Sequence, residues 1–183
     1  MAGHNKWSKV KRKKAVSDAE KSKVFSKIVK LISSEARKSG GVESAGLKTA
    51  IEKAKEANVP KDVIERAVKK AKESAPQESI TYEAYGPGGV ALIIEALTEN
   101  RNKAAAEVKH ILSKHGFSLA SPGSATWAFQ KDPASGNPDA MIGAGWQATT
   151  MIKLSEEDGE KLGALIDDLE ENDEVQEVFM NAE

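Results

Sequence analysis

Apolar residues along this chain keep two different rhythms, and the rhythm changes near Pro76. Ahead of that point they recur at helical spacing. Val24, Ile28, Leu31 and Ile32 form one stripe, opened by Ser17 and Glu20 in capping-box order (SDAE) and stopped at Ser39 to Gly41. A second helix is predicted over 45–58, with Leu47, Ile51 and Ala54 on one face. Asn58 and Pro60 end it, because proline is poorly tolerated inside a helix and well placed in the first turn of the next. The third helix is predicted from Pro60 to about Ser74, burying Val63, Ile64, Ala67, Val68 and Ala71. Three short amphipathic helices predict a small bundle. Residues 1–16 carry too few apolar groups to fold alone and read as a mobile arm that orders on something negative.

After Pro76 branched and aromatic residues alternate instead. SITYEAYGPGGVALIIEAL reads as strand, turn and strand, the first strand over 80–85. TENRNKAAAEVKHILSKHG reads as a helix with Thr98 and Asn100 as capping candidates, an apolar face of Ala104, Val108, Ile111 and Leu112, and Gly116 as its stop. GSATWAF is predicted as a third strand, 148–154 as a fourth, Ser155 as the opening of a last helix carrying Leu162, Leu165, Ile166 and Leu169, and EVQEVFM as a final strand. From Val90 the order is β, α, β, β, α, β. The fold class read from this is α+β: a three-helix bundle with a basic arm, then a ferredoxin-like βαββαβ domain with an extra N-terminal strand. The domain division falls in KESAPQES, giving 1–77 and 78–183, with 131–147 as a low-complexity loop.

Charge sharpens that division. The 183 residues have a formal net charge of -1, yet residues 1–77 hold 20 Lys+Arg against 9 Asp+Glu and residues 78–183 hold 7 against 19. Halves of opposite sign suggest that the basic half meets a polyanion. The absence of cysteine excludes disulfides and thiolate metal sites. No apolar run approaches the roughly 20 residues of a membrane helix, so the expectation is a soluble, cytoplasmic protein with no membrane partner.

Catalytic signals are weak. His110 and His115 are five apart, not the i, i+4 pair that grips zinc, and His4 lies in the arm; surface or capping roles fit them. The carboxylates between Glu156 and Glu177 alternate with leucines at helical period and read as a solvated acidic face. No motif for acyl transfer, nucleotide binding or metal ligation is present. We therefore expect no enzyme activity, cofactor, metal or small-molecule substrate.

The dense cationic tract is the informative feature. Lys6, Lys9, Lys11, Arg12, Lys13 and Lys14 flank Trp7, a ring able to stack on a base, and Lys21, Lys23, Lys27 and Lys30 follow. A solubilising face mixes both signs, whereas acids are absent here until Asp18. Lys6, Trp7, Lys9, Lys11, Arg12, Lys13, Lys14, Lys21 and Lys23 are the candidate phosphate and stacking contacts. Lysine predominates over arginine, so phosphate binding should exceed base readout. Gly86, Gly88 and Gly89 of the GPGG turn, with Asn100, Arg101, Asn102 and Lys103 at a helix start, form a second candidate patch. A hairpin turn and a capped helix explain those residues about as well.

AGHNKWSKVKRKKAVSDAEKSKVFSKI, NVPKDVIERAVKKA, TYEAYGPGGVALIIEALTENRNKAAAEVKHILSKHG, GSATWAF and LIDDLEENDEVQEVFMNAE together resemble the YebC/PmpR family over nearly the whole chain. The resemblance implies a helical N-terminal domain followed by α+β domains, and a role without catalysis. Members are described as DNA-binding transcriptional regulators and as translation factors, including the mitochondrial translational activator of cytochrome c oxidase and relatives that ease ribosomes through proline runs. In the family an α+β domain is inserted between the third and fourth strands, where this chain has only the 131–147 loop. Smaller departures are the residues after Gly116 and lysine at 103, where arginine is common. Three readings follow: a translation factor on ribosomal RNA, toward which lysine richness tilts; a transcriptional regulator on duplex DNA; and a protein-interaction module using the acidic half. Oligomeric state is not legible from the sequence.

Overall fold

The computed structural model describes residues 18–71, 77–132 and 145–183. Three helices open it: α1 (Asp18–Lys38), α2 (Ala45–Glu56) and α3 (Lys61–Lys70). Helix α1 ends as expected, with Gly40 and Gly41 at positive φ and the Gly41 amide donating back to Ala36. Ser44 caps α2, its hydroxyl accepting from the Leu47 amide, and Asn58 in the left-handed region closes it ahead of Pro60. Ile28, Leu31, Ile32 and Ala36 of α1 pack with Leu47, Ala50 and Ala54 of α2 and with Ile64, Ala67 and Ala71 at α3. Val24 was expected in that stripe but is 40% exposed. Phe25, one position round the helix, packs on the core instead.

The α+β portion is built on a three-stranded antiparallel sheet in the order β1-β2-β5, from β1 (Glu78–Tyr85), β2 (Ala91–Thr98) and β5 (Val175–Met180). All eight residues of β2 are buried, because the strand is central and covered on both faces. Leu92 and Ile94 face α4 (Arg101–Lys114) and α5 (Glu156–Glu171), meeting Val108 and Leu112 from the first and Leu162, Leu165 and Leu169 from the second. Ala91 and Ile93 point the other way. They pack with Phe179 under Ala128, Phe129 and Trp146, which belong to a short 3-10 turn (Thr126–Ala128) and to a hairpin of β3 (Phe129–Asp132) and β4 (Gly145–Ala148). A bulge at Gln176 shifts the β2–β5 register between Glu95 and Ala96, which returns Val175 to the helix-covered face.

The architecture is α+β, but among the described residues the ferredoxin-like sheet is not formed: β3 and β4 pair with each other in a separate two-stranded sheet. That pattern needs both edges of β2 for β5 and an inner strand, and β1, aligned antiparallel from Glu78–Thr98 to Tyr85–Ala91, occupies the second edge. Residues 123–128 are not a strand; the Glu83 carboxylate curls that segment by binding its amides, and pairing starts at Phe129. The fourth strand lies at Gly145–Ala148 rather than 148–154, so Lys131 and Trp146, placed in a loop by sequence, face each other across a ladder. Beyond it the Ile152 amide donates to the Asn181 carbonyl and draws the chain away to run beside 181–183.

Candidate nucleic-acid interface

Lys6, Trp7, Lys9, Lys11, Arg12, Lys13 and Lys14 lie outside the described residues, and the Lys21 side chain does as well. Lys23 is described, and it is not solitary. Its ammonium lies 3.4 Å from the Glu171 carboxylate. Lys27 and Lys30 continue the stripe at i+4 and i+7 and turn the same way. Lys27 is only 6% exposed, and its ammonium donates to the Glu170 carbonyl at the end of α5. Lys30 donates at 3.3 Å both to the Asp173 carbonyl and to the Glu174 carboxylate. The cationic stripe of α1 therefore meets the carbonyl end of α5, where the helix dipole is negative and the run EENDE adds carboxylates.

Glu174 sits at the centre of this contact. It accepts from Lys30 on one side and from Lys103 at 3.2 Å on the other. Burial alone would raise its carboxyl, but a hydrogen bond from Thr98 and the two ammonium groups hold it below its ordinary value. Lys103 is raised in turn, chiefly by its hydrogen bond to Glu174. An open cleft of about 320 Å³ lies among Lys30, Glu99, Asn100, Lys103 and Glu174. Glu174 and Glu177, expected on a solvated acidic face, are both buried, because they follow α5 on the turn and strand rather than on its outer surface.

The second candidate patch is divided. Asn100 to Lys103 open α4 while Gly86 to Gly89 precede β2, so the eight residues of β2 put the groups roughly 25 Å apart at about 3.3 Å per residue. Asn100 Oδ1 accepts from the Asn102 and Lys103 amides, which takes up the donors a phosphate would use. Arg101 lies 3.7 Å from Glu78. Pro87–Gly89 is a tight turn against α5, with Gly88 at φ 65 and a Leu154 methyl 2.4 Å from where its Cβ would lie.

Two features escaped sequence reasoning. Lys48, Lys55 and Lys69 are exposed on α2 and α3; the seven-residue spacing of the first two was the available signal for a shared face. Trp127 is 58% exposed, and its indole N–H donates at 3.0 Å to the Tyr85 hydroxyl, itself bonded to the Ser124 carbonyl. That arrangement fixes a flat apolar ring at the surface. Nothing in GSATWAF separates an outward tryptophan from a core one. His115 caps α4 and lies 2.9 Å from Asp168, whose carboxyl is lowered by hydrogen bonds from Lys114 and then His115. Among the described residues no group of three His, Cys, Asp or Glu could hold a metal, and no helix is long and apolar enough to cross a membrane.

Comparison with known proteins adds a family and a neighbour. The profile described as "TACO1/YebC protein N-terminal domain" matches residues 5–74, and that described as "TACO1/YebC second and third domain" matches 77–134 and 138–182. A relative from Fervidobacterium nodosum named "Probable transcriptional regulatory protein" is 39% identical over 235 residues, covering 99% of this chain and 93% of its own length. One of the same name from Nitratiruptor is 40% identical over 235 residues, covering 99% of each. A third, from Myxococcus xanthus, reaches 49% over 136 residues, or 72% of this chain and 55% of its own. The crystal structure titled "Conserved Hypothetical Protein Aq1575 from Aquifex Aeolicus" superposes with a TM-score of 0.78 at 30% identity, covering 91% of both chains. These matches point to a regulatory family and not to an enzyme family.

Proposed function

The chain belongs to the TACO1/YebC family, and on that premise we propose that it is a non-enzymatic regulator of gene expression that holds nucleic acid by its phosphates. The observation that carries this reading is the charge division: 20 cationic against 9 acidic side chains in residues 1–77, and 7 against 19 in residues 78–183. The basic portion, Lys6 to Lys14 foremost, makes the contacts; the acidic portion is repelled by the same polyanion and stays clear of it. Duplex DNA is the first target to test, because relatives at 39% and 40% identity carry the name of transcriptional regulators.

A second reading, ribosomal RNA, is favoured by one observation. The two arginines described in the basic portion are both engaged internally: Arg37 donates to the Ala71 carbonyl and Arg66 pairs with Asp62 at 2.6 Å. Lysines then dominate, and lysine holds phosphate as a point charge without the fork that reads guanine. We further read 131–147 as the place where longer relatives carry additional residues. The aligned stretch of 235 residues exceeds the 183 of this chain, and the family match breaks between 134 and 138.

Sedimentation of the protein from a lysate at graded salt, with and without nuclease, separates the targets. Loss of the fast fraction on DNase treatment alone supports the DNA reading. Migration with an intact ribosomal subunit supports the RNA reading. A protein that stays at the top of the gradient in dilute buffer overturns both.

A further inference from the structure

The contact between α1 and the end of α5 has the chemistry of nucleic-acid binding turned inward. Three lysines on one helical stripe, Lys23, Lys27 and Lys30, meet two carboxylates and two carbonyls of residues 170–174: Glu171 at 3.4 Å, Glu174 and the Asp173 carbonyl each at 3.3 Å, and the Glu170 carbonyl. Nucleic acid phosphates offer anionic oxygens that the same ammonium groups can take in place of these carboxylates and carbonyls. Lys27 and Lys30 cannot touch phosphate while they are held there, since one is 6% exposed and the side chain of the other 19%.

We propose that residues 170–174 are an internal competitor for nucleic acid: they sequester the α1 stripe in the resting protein, and a polyanion gains these lysines by displacing the acidic domain. The inference rests on the nucleic-acid reading above, in which the arm makes the first contact and the stripe the second. The occupant is chosen by charge. Lys23, Lys27 and Lys30 continue the cationic tract that runs from Lys6 through Lys21, so a strand seated on the arm is led to the stripe. The internal partner is one that a strand can outcompete, because the contact is made of ion pairs and single hydrogen bonds with few apolar groups. Among the described residues the apolar side of α1 is buried in the helical region and not against the acidic domain.

The test uses the whole chain with Glu171→Gln, Asp173→Asn and Glu174→Gln combined. The control carries Glu156→Gln, Glu157→Gln and Glu160→Gln at the opposite end of α5, so that net charge changes equally. Each is titrated against a labelled 20-base-pair duplex and a labelled oligouridine across a range of KCl. The turn variant should bind about tenfold more tightly than the parent. Because the parent reaches the same phosphates once the acidic residues are displaced, the log–log salt slope of the variant on duplex should stay within about 1 of the parent's. The control should stay within twofold.

A turn variant that binds like the parent, or a control that gains as much, overturns the inference and leaves the parent's own binding intact. Absence of binding by all three proteins overturns the functional reading as well. A measurement on the parent alone guards against a poorly folded variant: carbodiimide coupling of Lys23 to Glu171 and of Lys30 to Glu174 should fall as duplex is added. Undiminished coupling at saturating duplex contradicts displacement.

Discussion

Glu83 carries more of the local structure than its sequence context suggests. Its carboxylate accepts from the amides of Gly123, Ala125 and Thr126 at 2.6, 2.7 and 3.0 Å, and its own carbonyl accepts from Ala120. Glu83→Ala strands those amides and should cost about 3 kcal/mol, read as a lowered urea midpoint with the slope unchanged. An effect below about 0.5 kcal/mol would show that water replaces the carboxylate. Within TYEAY this residue looks like any outward strand position, so its role was not legible; it depends on a loop 40 residues away. Glu174 was hidden for the same reason. Its folded carboxyl titrates below the ordinary value of 4.5, so its stabilising contribution is full above that value and disappears as pH falls through the depressed one. Between pH 6 and pH 3 the parent should therefore lose more stability than Glu174→Gln. Parallel losses would place the proton elsewhere.

Elements were read well where one signal decides them and poorly where two compete. Helices α4 and α5 open at the expected caps, Asn100 and Ser155 accepting from the amides that follow them, whereas the side chains of the capping box at Ser17 and Glu20 lie outside the described residues. The β3–β4 hairpin was misplaced because the strand-forming residues of GSATWAF are overridden by Glu83, a tertiary partner that no local pattern reveals. The sheet order was misjudged because periodicity says that strands exist, not which edge each takes. The turn before β2 shows what one position demands. Gly88 has φ +65 and a Cβ there would lie 2.4 Å from a Leu154 methyl, whereas Gly89 has φ +76 and open space. Gly89→Ala should cost about 1 kcal/mol, for the backbone alone, and Gly88→Ala about 2–4 kcal/mol. Equal losses in thermal denaturation would show that the Leu154 side chain moves aside to admit the methyl group.

At the scale of the whole molecule the chain is an electrostatic dipole folded back on itself, with part of its basic stripe resting on its acidic end. The charge division was plain in the sequence. That α1 would direct Lys23, Lys27 and Lys30 inward was not, because a lysine at helical spacing looks the same whether it faces solvent, phosphate or a neighbouring helix terminus. Lys6 to Lys14 precede that contact in the sequence and form its most concentrated run of positive charge. Replacing Lys11, Arg12, Lys13 and Lys14 with alanine should weaken binding to duplex and to single strands alike, leaving the ranking of sequences unchanged. The most direct test of the central claim is the salt dependence of binding by the unmodified 183-residue chain. The account predicts that the logarithm of the affinity for duplex DNA falls linearly with the logarithm of salt, with a slope of about -4 or steeper, and that the four-alanine variant is flatter by about 3 to 4. A slope near zero, or one that the variant shares, would contradict it.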